Sequence, residues 1–456
     1  MNSKFLFDKS LYEFEKAQLS WWEASRDKNI KIDAQPLKTD EKCDIAIIGG
    51  GYTGLSSAYH LAKEFNIDVR VLEAGHIGWG ASGRNGGFCT MGGTLLSVKH
   101  QVKKFGLEET KKFYRSQAEA VKLVRSIIEA ENIDAQMQGI GEMTVAEKPS
   151  HFESLKEECY FSRDVLNVDC RMISQDEFSK THYDAPHQHG AIIQYPSFGL
   201  HPLKYCQGLA QATERNGAIL HSNSKVVRWW KEGNKHVLET AHSMLKADKV
   251  IVACNGFMPE NLNTKISARV MPLQSQIIVT RPLTDEELEI YKWKSETPAI
   301  NSRNVYNYYR MLPEKRLMIG GRADFKGTPE GAQKTASKLH QSITKFWPEW
   351  NNIEIQYDWR GFVCFTRKLR PSIGRMPDDL SIYFGFGYHG NGVNNATWTG
   401  REIARWIGRG NDKSNPLPAH LPKLVQGITP KFPLPSLRPL YAKAGVGWHR
   451  FKDMID

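Results

Sequence analysis

Two short apolar runs with an amphipathic stretch between them form the clearest pattern in the chain. The first run, residues 44–48, ends in consecutive apolar residues, which is typical of a strand buried on both faces. Apolar residues then recur at the spacing of one helical face, at Leu55, Ala58, Leu61 and Ala62. The second run, residues 69–72, is followed by Glu73. We therefore predict a strand, a helix and a second strand, which make one βαβ unit.

The same patterns predict elements along the rest of the chain. A long helix carries an apolar face from Leu107 to Ile128, and we expect it to cover a second domain. Helical spacing returns after His201 and again at 396–407. Apolar runs predict further strands, at 248–253, 276–280 and 316–322.

Aromatic residues mark two other stretches. From Tyr306 to Arg310, aromatic and polar residues alternate as they would in a strand that lines a pocket. Tyr306 and Tyr308 would share one face of that strand. Near the start of the chain, a predicted helix carries Leu19, Trp21 and Trp22, and we expect its tryptophans to pack against the body of the protein.

Glycines follow the first strand at the spacing G-x-G-x-x-G. Gly49 would make the tight turn, Gly51 would let a diphosphate approach bare backbone, and Gly54 would let the helix pack closely on the strand. The helix start offers free N–H groups to phosphate. Glu73 stands where an acceptor for ribose hydroxyls is needed, and its charge disfavours a 2′-phosphate. The motif predicts a site for FAD or NAD rather than NADP.

The loop Gly80-Ala81-Ser82-Gly83-Arg84-Asn85-Gly86-Gly87 favours FAD, since it is too rich in glycine and small polar residues to continue into a third strand. Here the chain resembles the FAD-dependent D-amino acid oxidase superfamily, which includes glycine and sarcosine oxidases, and most closely the gamma-glutamylputrescine oxidase group. The resemblance implies that Ser82, Arg84, Asn85 and Gly86 lie along the pyrophosphate and the isoalloxazine.

The resemblance also implies cofactor contacts later in the chain. Val226 would bind adenine through its backbone, and a second glycine string, 385–393, would aim the start of another helix at the pyrimidine end of the flavin. Together, the motif and the resemblance assign these residues to the cofactor: Gly49, Gly51, Tyr52, Thr53, Gly54, Glu73, Ala74, Gly80, Ser82, Arg84, Asn85, Gly86, Gly87, Val226, Ala253, Asn255, Gly256, Gly361, Gly387, His389, Gly390, Asn391, Gly392 and Val393.

The predicted fold class is α/β. A Rossmann-type FAD-binding domain, similar to that of glutathione reductase, would be combined with a discontinuous α+β substrate domain on a large, mostly antiparallel sheet. The proline-rich, basic tail should wrap the surface in extended form. The predicted segments are an N-terminal helical extension (1–41), the FAD-binding domain (42–105, 201–260 and 360–412), the substrate domain (106–200 and 261–359) and the tail (413–456).

Cysteine and histidine usage indicates neither a disulfide framework nor a metal site. The 7 cysteines are scattered and never paired as C-x-x-C. His182, His187 and His189 cluster in a loop-like stretch, and we predict no metal there. Sarcosine oxidase tethers its flavin through a cysteine in the region of Cys364, but the register places Gly361 at the tethering position. We therefore predict non-covalent FAD.

Composition narrows the class of protein. The chain of 456 residues, 40% hydrophobic and 24% charged, is ordinary for a globular protein of two or three domains. It has no transmembrane-length apolar run and no secretory signal pattern, so we expect a cytoplasmic protein. The net charge of +11 is spread out, without a run of like charges, which argues against a nucleic-acid partner.

The resemblance implies oxidation of the C–N bond of a primary or secondary amine or amino acid. Hydride would pass to flavin N5, and water would hydrolyse the imine. Trp79, Tyr52 or Tyr308 would desolvate the amine, His389 would tune the flavin or steer a proton, and Arg310 or Lys368 would hold a substrate carboxylate or sulfonate. O2 or an electron carrier would reoxidise the flavin, and the oligomeric state stays open.

The chain departs from the family pattern at His389–Gly392, where most relatives read S-G-H-G, and at Lys368, where an acidic residue is usual. Both departures fall near the expected pocket and leave the substrate open. The alternatives are an FAD-dependent dehydrogenase of a hydroxy acid, polyol phosphate or aminosulfonate that uses a carrier or quinone, an RNA-directed oxidase-like protein, and a flavin-binding scaffold without turnover.

Overall fold

A computed structural model of the chain describes residues 6–410 and 416–455. Residues 1–5, which open the predicted extension, lie outside the described residues. The same holds for 411–415, at the predicted junction between the FAD-binding domain and the tail, and for residue 456. Among the described residues, no helix combines the length and the apolar character needed to cross a bilayer.

The strands are numbered in chain order through the described residues. They are β1 (Glu41–Ile48), β2 (Val69–Leu72), β3 (Phe88–Cys89), β4 (Glu142–Val145), β5 (Cys170–Ile173), β6 (Ala191–Gln194), β7 (Phe198–Gly199), β8 (Ile219–His221), β9 (Arg228–Glu232), β10 (Lys235–Glu239), β11 (Met244–Val252), β12 (Val270–Pro282), β13 (Ala299–Asn301), β14 (Tyr308–Met311), β15 (Arg316–Arg322), β16 (Ile355–Thr366), β17 (Ser372–Met376) and β18 (Asp379–Phe386).

The α-helices are numbered in the same way, and short 3₁₀ turns between them carry no label. They are α1 (Trp21–Ala24), α2 (Tyr52–Phe65), α3 (Val98–Phe105), α4 (Leu107–Ala130), α5 (Pro149–Tyr160), α6 (Gln175–Thr181), α7 (Pro202–Arg215), α8 (Asp285–Ile290), α9 (Pro329–Phe346), α10 (Gly392–Gly408) and α11 (Arg438–Ile455).

The first sheet has the strand order β17-β18-β11-β1-β2-β8. Strands β18, β11, β1, β2 and β8 run parallel, while β17 is antiparallel to β18. Strands β9 and β10 extend the sheet from β11 as an antiparallel pair. Because Ile48 pairs with Leu72, the carboxyl ends of β1 and β2 lie side by side. This arrangement brings the glycine turn next to Glu73, as a dinucleotide-binding unit requires.

Helices α2, α4, α7 and α10 share one apolar core with this sheet. Gly400 lets α10 lie close to α2, because a Cβ there would meet the Thr53 carbonyl oxygen at 2.6 Å. Phe113 and Val124 place α4 in the same core. The prediction that this helix covers the second domain is therefore wrong. Helical spacing indicates an apolar face but carries no information about which sheet buries it.

The second sheet has the order β16-β12-β15-β14-β13-β4-β6-β5. Every neighbouring pair in it is antiparallel except β13 and β4. One face is buried by α9 and by a cluster that includes Trp347 and Trp350. Burying a large apolar side chain stabilises by roughly 1.5–3 kcal/mol, so this layer fixes the sheet firmly. The other face is left for the cavity described below.

The predicted fold class is confirmed: a Rossmann-type sheet is joined to a substrate sheet that is mostly antiparallel. The segment boundaries stay our proposal, with α4 assigned to the FAD-binding domain because of its core contacts. Strand β16 begins before the proposed boundary at 360 and forms the edge of the substrate sheet.

The N-terminal extension is less helical than predicted, since the helix that carries the tryptophans spans only Trp21–Ala24. Trp22 is buried against Trp359 and His201, which supports the expected packing role. Leu19 precedes the helix and is 89% exposed, so its predicted place in a helix is wrong. A helix of four residues has little intrinsic stability, so this one depends on the buried side chain of Trp22 to anchor it.

The C-terminal tail was predicted to be extended, but residues 438–455 form helix α11, which packs against β12. The prolines that suggested an extended chain end at Pro439. Pro439 lies in the first helical turn, where the missing N–H has no helical partner to lose. The prediction of an extended tail is therefore wrong for α11.

Candidate active site and cofactor cavity

The turn between β1 and α2 brings bare backbone to one place. Gly49 has φ +113°, and a Cβ there would meet the Ala253 carbonyl at 3.0 Å. A Cβ on Gly54 would lie 1.9 Å from the Gly49 oxygen, so only glycine lets α2 start this close to β1. Gly51 is the N-cap of α2 and offers no capping side chain. The first turn of a 14-residue helix therefore presents N–H groups to an anion.

Glu73 follows β2 at the same edge of the sheet. Its Oε2 accepts a hydrogen bond from Gly50 N at 2.7 Å, and its Oε1 accepts one from Gly75 N at 3.0 Å. Burial raises the pKa of this carboxyl, and the amide donors oppose that shift. Each carboxylate oxygen keeps a lone pair for a further donor, such as a ribose hydroxyl.

The loop 80–87 is held from two sides. Trp22 Nε1 donates to the Asn85 carbonyl at 2.9 Å, and Trp359 Nε1 donates to the Arg84 carbonyl at 2.8 Å. The Asn85 side chain donates to two carbonyls of its own loop and accepts from Gly87 N at 2.8 Å. The N-terminal extension, through Trp22, and the substrate sheet, through Trp359, thus both hold this loop in place.

Arg84 is the charged residue of this loop, and it is buried. Its guanidinium lies 3.8 Å from the centroid of the Trp79 ring. Burial lowers the pKa of Arg84 to about 9. Within the part of the chain that the structure describes, its Nε and Nη2 atoms have no hydrogen-bond partner. A buried cation with unpaired donors favours an anionic ligand.

The second glycine segment meets the cavity at the start of α10. His389 and Gly390 have positive φ values of 53° and 105°, and Asn391 is the N-cap of α10 without a capping hydrogen bond. Asn391 Nδ2 instead donates to Thr90 Oγ1 at 3.0 Å and to the Met91 carbonyl at 2.9 Å. The helix start can therefore face a ligand. The hydrogen bonds of Asn391 connect it to Thr90 and Met91, just beyond the loop 80–87, which we call the flavin loop.

His389 is buried beside Thr366, whose Oγ1 lies 3.5 Å from its Nε2. Burial lowers the pKa of His389 to about 4. Its Nδ1 has no hydrogen-bond partner among the described residues. The imidazole is thus neutral at physiological pH, and it is better suited to hydrogen bonding than to carrying a charge.

One cavity of about 780 Å³ joins both glycine segments to the free face of the substrate sheet. Predicted catalytic residues Trp79, Tyr308 and His389 line it. The predicted cofactor residues that line it are Gly49, Gly51, Tyr52, Thr53, Glu73, Ala74, Gly80, Ser82, Arg84, Asn85, Gly86, Val226, Ala253, Asn255, Gly256, Gly361, His389, Gly390, Asn391, Gly392 and Val393.

Three predicted glycines lie outside the cavity wall and shape it from behind. Gly54 sets the distance between α2 and β1, as described above. Gly87 has φ +73°, and a Cβ there would lie 1.9 Å from the Leu200 oxygen. Gly387 donates its N–H to Asn255 Oδ1 at 3.1 Å. These positions require glycine for packing and turn geometry rather than for contact with a ligand.

Two predicted anion-binding side chains point elsewhere, which corrects their assignment. Arg310 is buried behind the wall, where its guanidinium donates to the Gly86 carbonyl, to Gln138 Oε1 at 2.9 Å and to the Leu200 carbonyl at 2.6 Å. Lys368 Nζ donates to the Ile428 carbonyl at 3.2 Å. Neither side chain lines the cavity, so neither holds a substrate carboxylate there.

The register of the substrate sheet assembles the cavity floor. Thr144 pairs with Ile300, Ile300 with Tyr308, and Tyr308 with Gly320, so these positions share one face. Two residues further along β15, Arg322 pairs with Ser275. The Tyr308 hydroxyl lies 2.9 Å from Ser275 Oγ, which ties the ring to the neighbouring strands.

The roof includes α11. Tyr441, Val446 and His449 line the cavity from this helix. Asp453 anchors its far end by accepting hydrogen bonds from Asn304 N at 2.7 Å and from Val305 N at 3.0 Å. The C-terminal helix, which packs against β12, therefore forms part of the cavity wall.

Sequence reasoning missed several lining residues. Some come from strand β4 and the loop before β14, including Glu142 and Asn304, and others come from α11. No motif marks them, because they reach the cavity through sheet register and through the docking of a helix whose sequence reads as a tail. The two-residue alternation of side chains in β4 was the signal that could have placed Glu142 on the free face.

These residues fit FAD. The glycine turn and the two helix starts without a capping side chain suit phosphates and an electron-rich ring, Glu73 suits a ribose, and the unpaired donors of buried Arg84 suit the diphosphate. No group of three or more potential metal ligands occurs among residues 6–410 and 416–455.

Comparison with known proteins agrees with this fit. Residues 44–406 match the family model described as DAO, FAD dependent oxidoreductase. The chain is 28% identical over 445 residues to gamma-glutamylputrescine oxidoreductase of Escherichia coli (strain K12), covering 96% of this chain and 98% of that protein. It is 29% identical over 387 residues to probable oxidoreductase OrdL of Rhizobium meliloti (strain 1021), covering 84% of this chain and 87% of that protein.

Among solved structures, glycine oxidase from Geobacillus kaustophilus superposes with a TM-score of 0.69 at 20% identity. The match covers 84% of this chain and 100% of that chain. At this identity the likeness shows the fold, and the family match extends across both sheets.

Proposed function

The chain belongs to the DAO family of FAD-dependent oxidoreductases, and on this premise we propose that it oxidises the C–N bond of an amine or amino acid. The substrate is a primary or secondary amine similar in kind to those named in its relatives, gamma-glutamylputrescine above all. The chemistry that bound FAD would supply is the acceptance of a hydride from the carbon next to the amine nitrogen. The oxidised amine is then an imine, which water hydrolyses.

The observation that carries this proposal is the continuity of one cavity from the cofactor residues to the free face of the substrate sheet. A substrate on that face would lie near both Tyr308 and the loop of Arg84 and Gly86. Tyr308 touches this loop closely, since a Cβ on Gly86 would lie 3.0 Å from its ring. Cofactor and substrate would therefore share one enclosed space, as hydride transfer requires.

The protein groups near Tyr308 are suited to a neutral amine. Burial raises the pKa of Tyr308 to about 12, so its phenol stays protonated and can donate or accept a hydrogen bond. Neutral His389 adds no positive charge. An enclosed site disfavours the ammonium form of the substrate, and the neutral amine is the form whose C–H bond is oxidised.

The three predicted catalytic residues that line the cavity each receive a specific role in this proposal. Tyr308 orients the substrate, and its hydroxyl is held by Ser275. His389, as a neutral imidazole, offers a hydrogen-bonding nitrogen beside the start of α10. Trp79 is a positioning residue, because its Nε1 donates to the Lys16 carbonyl at 2.7 Å and its ring lies against Arg84.

Anaerobic reduction of the flavin tests the proposal directly. The purified holoenzyme is mixed with a panel of polyamines, glutamylated polyamines, N-methyl amino acids, aminosulfonates, 2-hydroxy acids and glycerol phosphate. We expect saturable bleaching of the flavin by at least one amine and none by the alcohols. Bleaching by a hydroxy acid or glycerol phosphate alone would refute amine oxidation.

Two further measurements complete the assignment. Peroxide release in air separates an oxidase from a dehydrogenase that uses a carrier. The variant His389→Gln should slow the bleaching by the best amine while FAD stays bound. Unchanged reduction kinetics in this variant would remove His389 from the reaction.

A further inference from the structure

Glu142 is a carboxylate on the cavity floor that neither the motifs nor the proposed chemistry uses. It lies on β4 and pairs with Gln194 of β6, and both residues line the cavity. The alternate residues of β4, Met143 and Val145, are buried in the core on the opposite face. Glu142 is therefore directed into the cavity by strand alternation.

The surroundings of Glu142 leave its charge without compensation. Burial raises the pKa of its carboxyl to about 8, so the group is largely protonated at neutral pH until a cationic ligand binds beside it; among the described residues, a hydrogen bond with Thr90 opposes this shift. No ion pair among the described residues includes it, whereas Glu147, close by in sequence, pairs with Arg303 and Lys345. A buried carboxyl without a cationic partner favours a cationic ligand.

The cavity floor is electrostatically polarised. Tyr306 has a 42% exposed side chain that lines the cavity, and both Arg322 and Glu142 act on its pKa, with opposite signs. Arg322 stands two residues beyond Gly320, and Glu142 stands two residues before Thr144. Because β4 and β15 run in the same direction, the two side chains start from opposite corners of the floor, and the Tyr306 phenol is near enough to both for each to act on its pKa.

The register also gives the distance from Tyr308. Two strand spacings and two residues along β4 separate Glu142 from Tyr308, which amounts to about 12 Å between their Cα atoms. Tyr308 contacts the flavin loop at Gly86, whereas Glu142 meets the chain further on, at Thr90. A carboxylate beside the reacting amine would hold it as ammonium and oppose oxidation. A position away from Tyr308 suits a different cationic group.

We propose that Glu142 binds a second, remote ammonium group of the amine substrate and so selects diamines, polyamines or amino acid conjugates over simple alkylamines. This inference rests on the proposed function and names its substrate class. In this inference Glu142 is a specificity-determining residue. The positive charge of Arg322 at the other corner of the floor directs the remote cation toward Glu142.

Matched probes test the assignment in the holoenzyme. Pentane-1,5-diamine carries the second ammonium group, pentan-1-amine lacks it, and 6-aminohexanoate replaces it with a carboxylate. For each, kcat/KM is measured by flavin reduction, and Kd is measured by calorimetry under anaerobic conditions. The proteins are the wild type, Glu142→Gln and Glu158→Gln. Glu158 lines the same cavity from α5, is more accessible to solvent than Glu142 and serves as the matched control.

We expect the wild type to favour the diamine over the monoamine by about 10- to 100-fold, the range of a charge-assisted hydrogen bond. In Glu142→Gln this preference should fall to within about threefold, while binding of 6-aminohexanoate improves because a repulsive charge is removed. Glu158→Gln should keep the preference. Rescue of the preference by Glu142→Asp would separate the charge from a structural effect.

Two results would overturn the inference: a wild type without preference for the diamine, or a Glu142→Gln variant that weakens all three probes equally. Equal weakening would instead place the carboxyl beside the reacting amine. If no amine reduces the flavin, the proposed function fails, but the calorimetric preference for the diamine and its loss in Glu142→Gln still decide the role of Glu142.

Discussion

Replacement of Arg84 by methionine should weaken FAD binding strongly while leaving the apoprotein as stable as the wild type or more so. The residue is 4% exposed, and its Nε and Nη2 donors have no partner among the described residues. Methionine keeps most of the side-chain length and the contact with Trp79 but removes the charge. The substitution therefore removes a buried cation whose partner is expected to be the cofactor.

The pKa of Arg84 gives the magnitude. Its fall from 12.5 to about 9 corresponds to roughly 5 kcal/mol at 1.36 kcal/mol for each tenfold change, an upper limit for the cost of burying this charge. The ring of Trp79 recovers about 1 kcal/mol of that cost. We expect the apoprotein to gain about 1–3 kcal/mol on substitution, and FAD affinity to fall by about 2–4 kcal/mol, which is roughly 30- to 1000-fold.

Arg310 provides a matched control. It is equally buried, and burial lowers its pKa to about 9 as well, but its guanidinium donates to Gly86, Gln138 and Leu200. Arg310→Met leaves these acceptors without donors, so it should destabilise both the apoprotein and the holoprotein by roughly 3 kcal/mol or more.

The assay combines FAD titration of the apoprotein, followed by flavin fluorescence, with urea unfolding of both forms. The expected pattern is a selective loss of FAD affinity in Arg84→Met and a general loss of stability in Arg310→Met. An FAD Kd within threefold of the wild type would refute the reasoning. An Arg84→Met apoprotein destabilised as much as Arg310→Met would refute it equally, because Arg84 would then be a structural residue.

Four further predictions concern the turn, the roof, the pH dependence and the attachment of the flavin. Gly54→Ala should yield folded protein without bound flavin, because its Cβ would lie 1.9 Å from the Gly49 oxygen and push α2 off β1; absorbance at the flavin bands measures this. Asp453→Asn should speed tryptic cleavage within α11 and raise KM more than it changes kcat, because an oxygen that accepts from Val305 N becomes a donor facing it. An unchanged cleavage rate would contradict the role of Asp453 in holding α11 over the cavity. His236 has a pKa lowered to about 4 by burial, so the folded state keeps it neutral, and the free energy of unfolding should fall as pH drops from about 6.5 to 4; in His236→Gln, urea unfolding should show a fall over this pH range that is smaller by about 1–3 kcal/mol. FAD should leave the protein on acid precipitation, because burial raises the pKa of the Cys364 thiol to about 12 and keeps it a poor nucleophile; flavin in the pellet would contradict this.

The βαβ unit and its glycine turn could be predicted from sequence because their determinants are local. Gly49, Gly51 and Gly54 act within one turn, and Glu73 ends the strand that pairs directly with β1. Strands 69–72 and 316–322 were predicted with the bounds that the structure gives, since each is a short apolar run between breaks. The glycine spacing was informative because a predicted strand and helix flank it and an acidic residue ends the next strand.

The errors on Arg310 and α4 share a physical cause, which is that periodicity specifies a face and not its partner. Tyr308 and Arg310 lie on the same face of β14, yet only Tyr308 reaches the cavity, because Arg310 falls under the Gly86 and Leu200 carbonyls. The apolar face of α4 was predicted, but its burial against the first sheet was not. Both outcomes depend on contacts between residues far apart in the chain.

Substrate recognition is hard to predict from sequence for the same reason. The residues that we propose to distinguish one amine from another come from β4, from the loop before β14 and from α11, and each reaches the cavity through sheet register or helix docking. Helix α11 lies beyond residue 406, where the family match ends. The FAD site can therefore stay constant across the family while the floor charge at Glu142 and the roof vary independently. Exchange of Glu142 or of α11 should change which amine is used without changing how FAD is held.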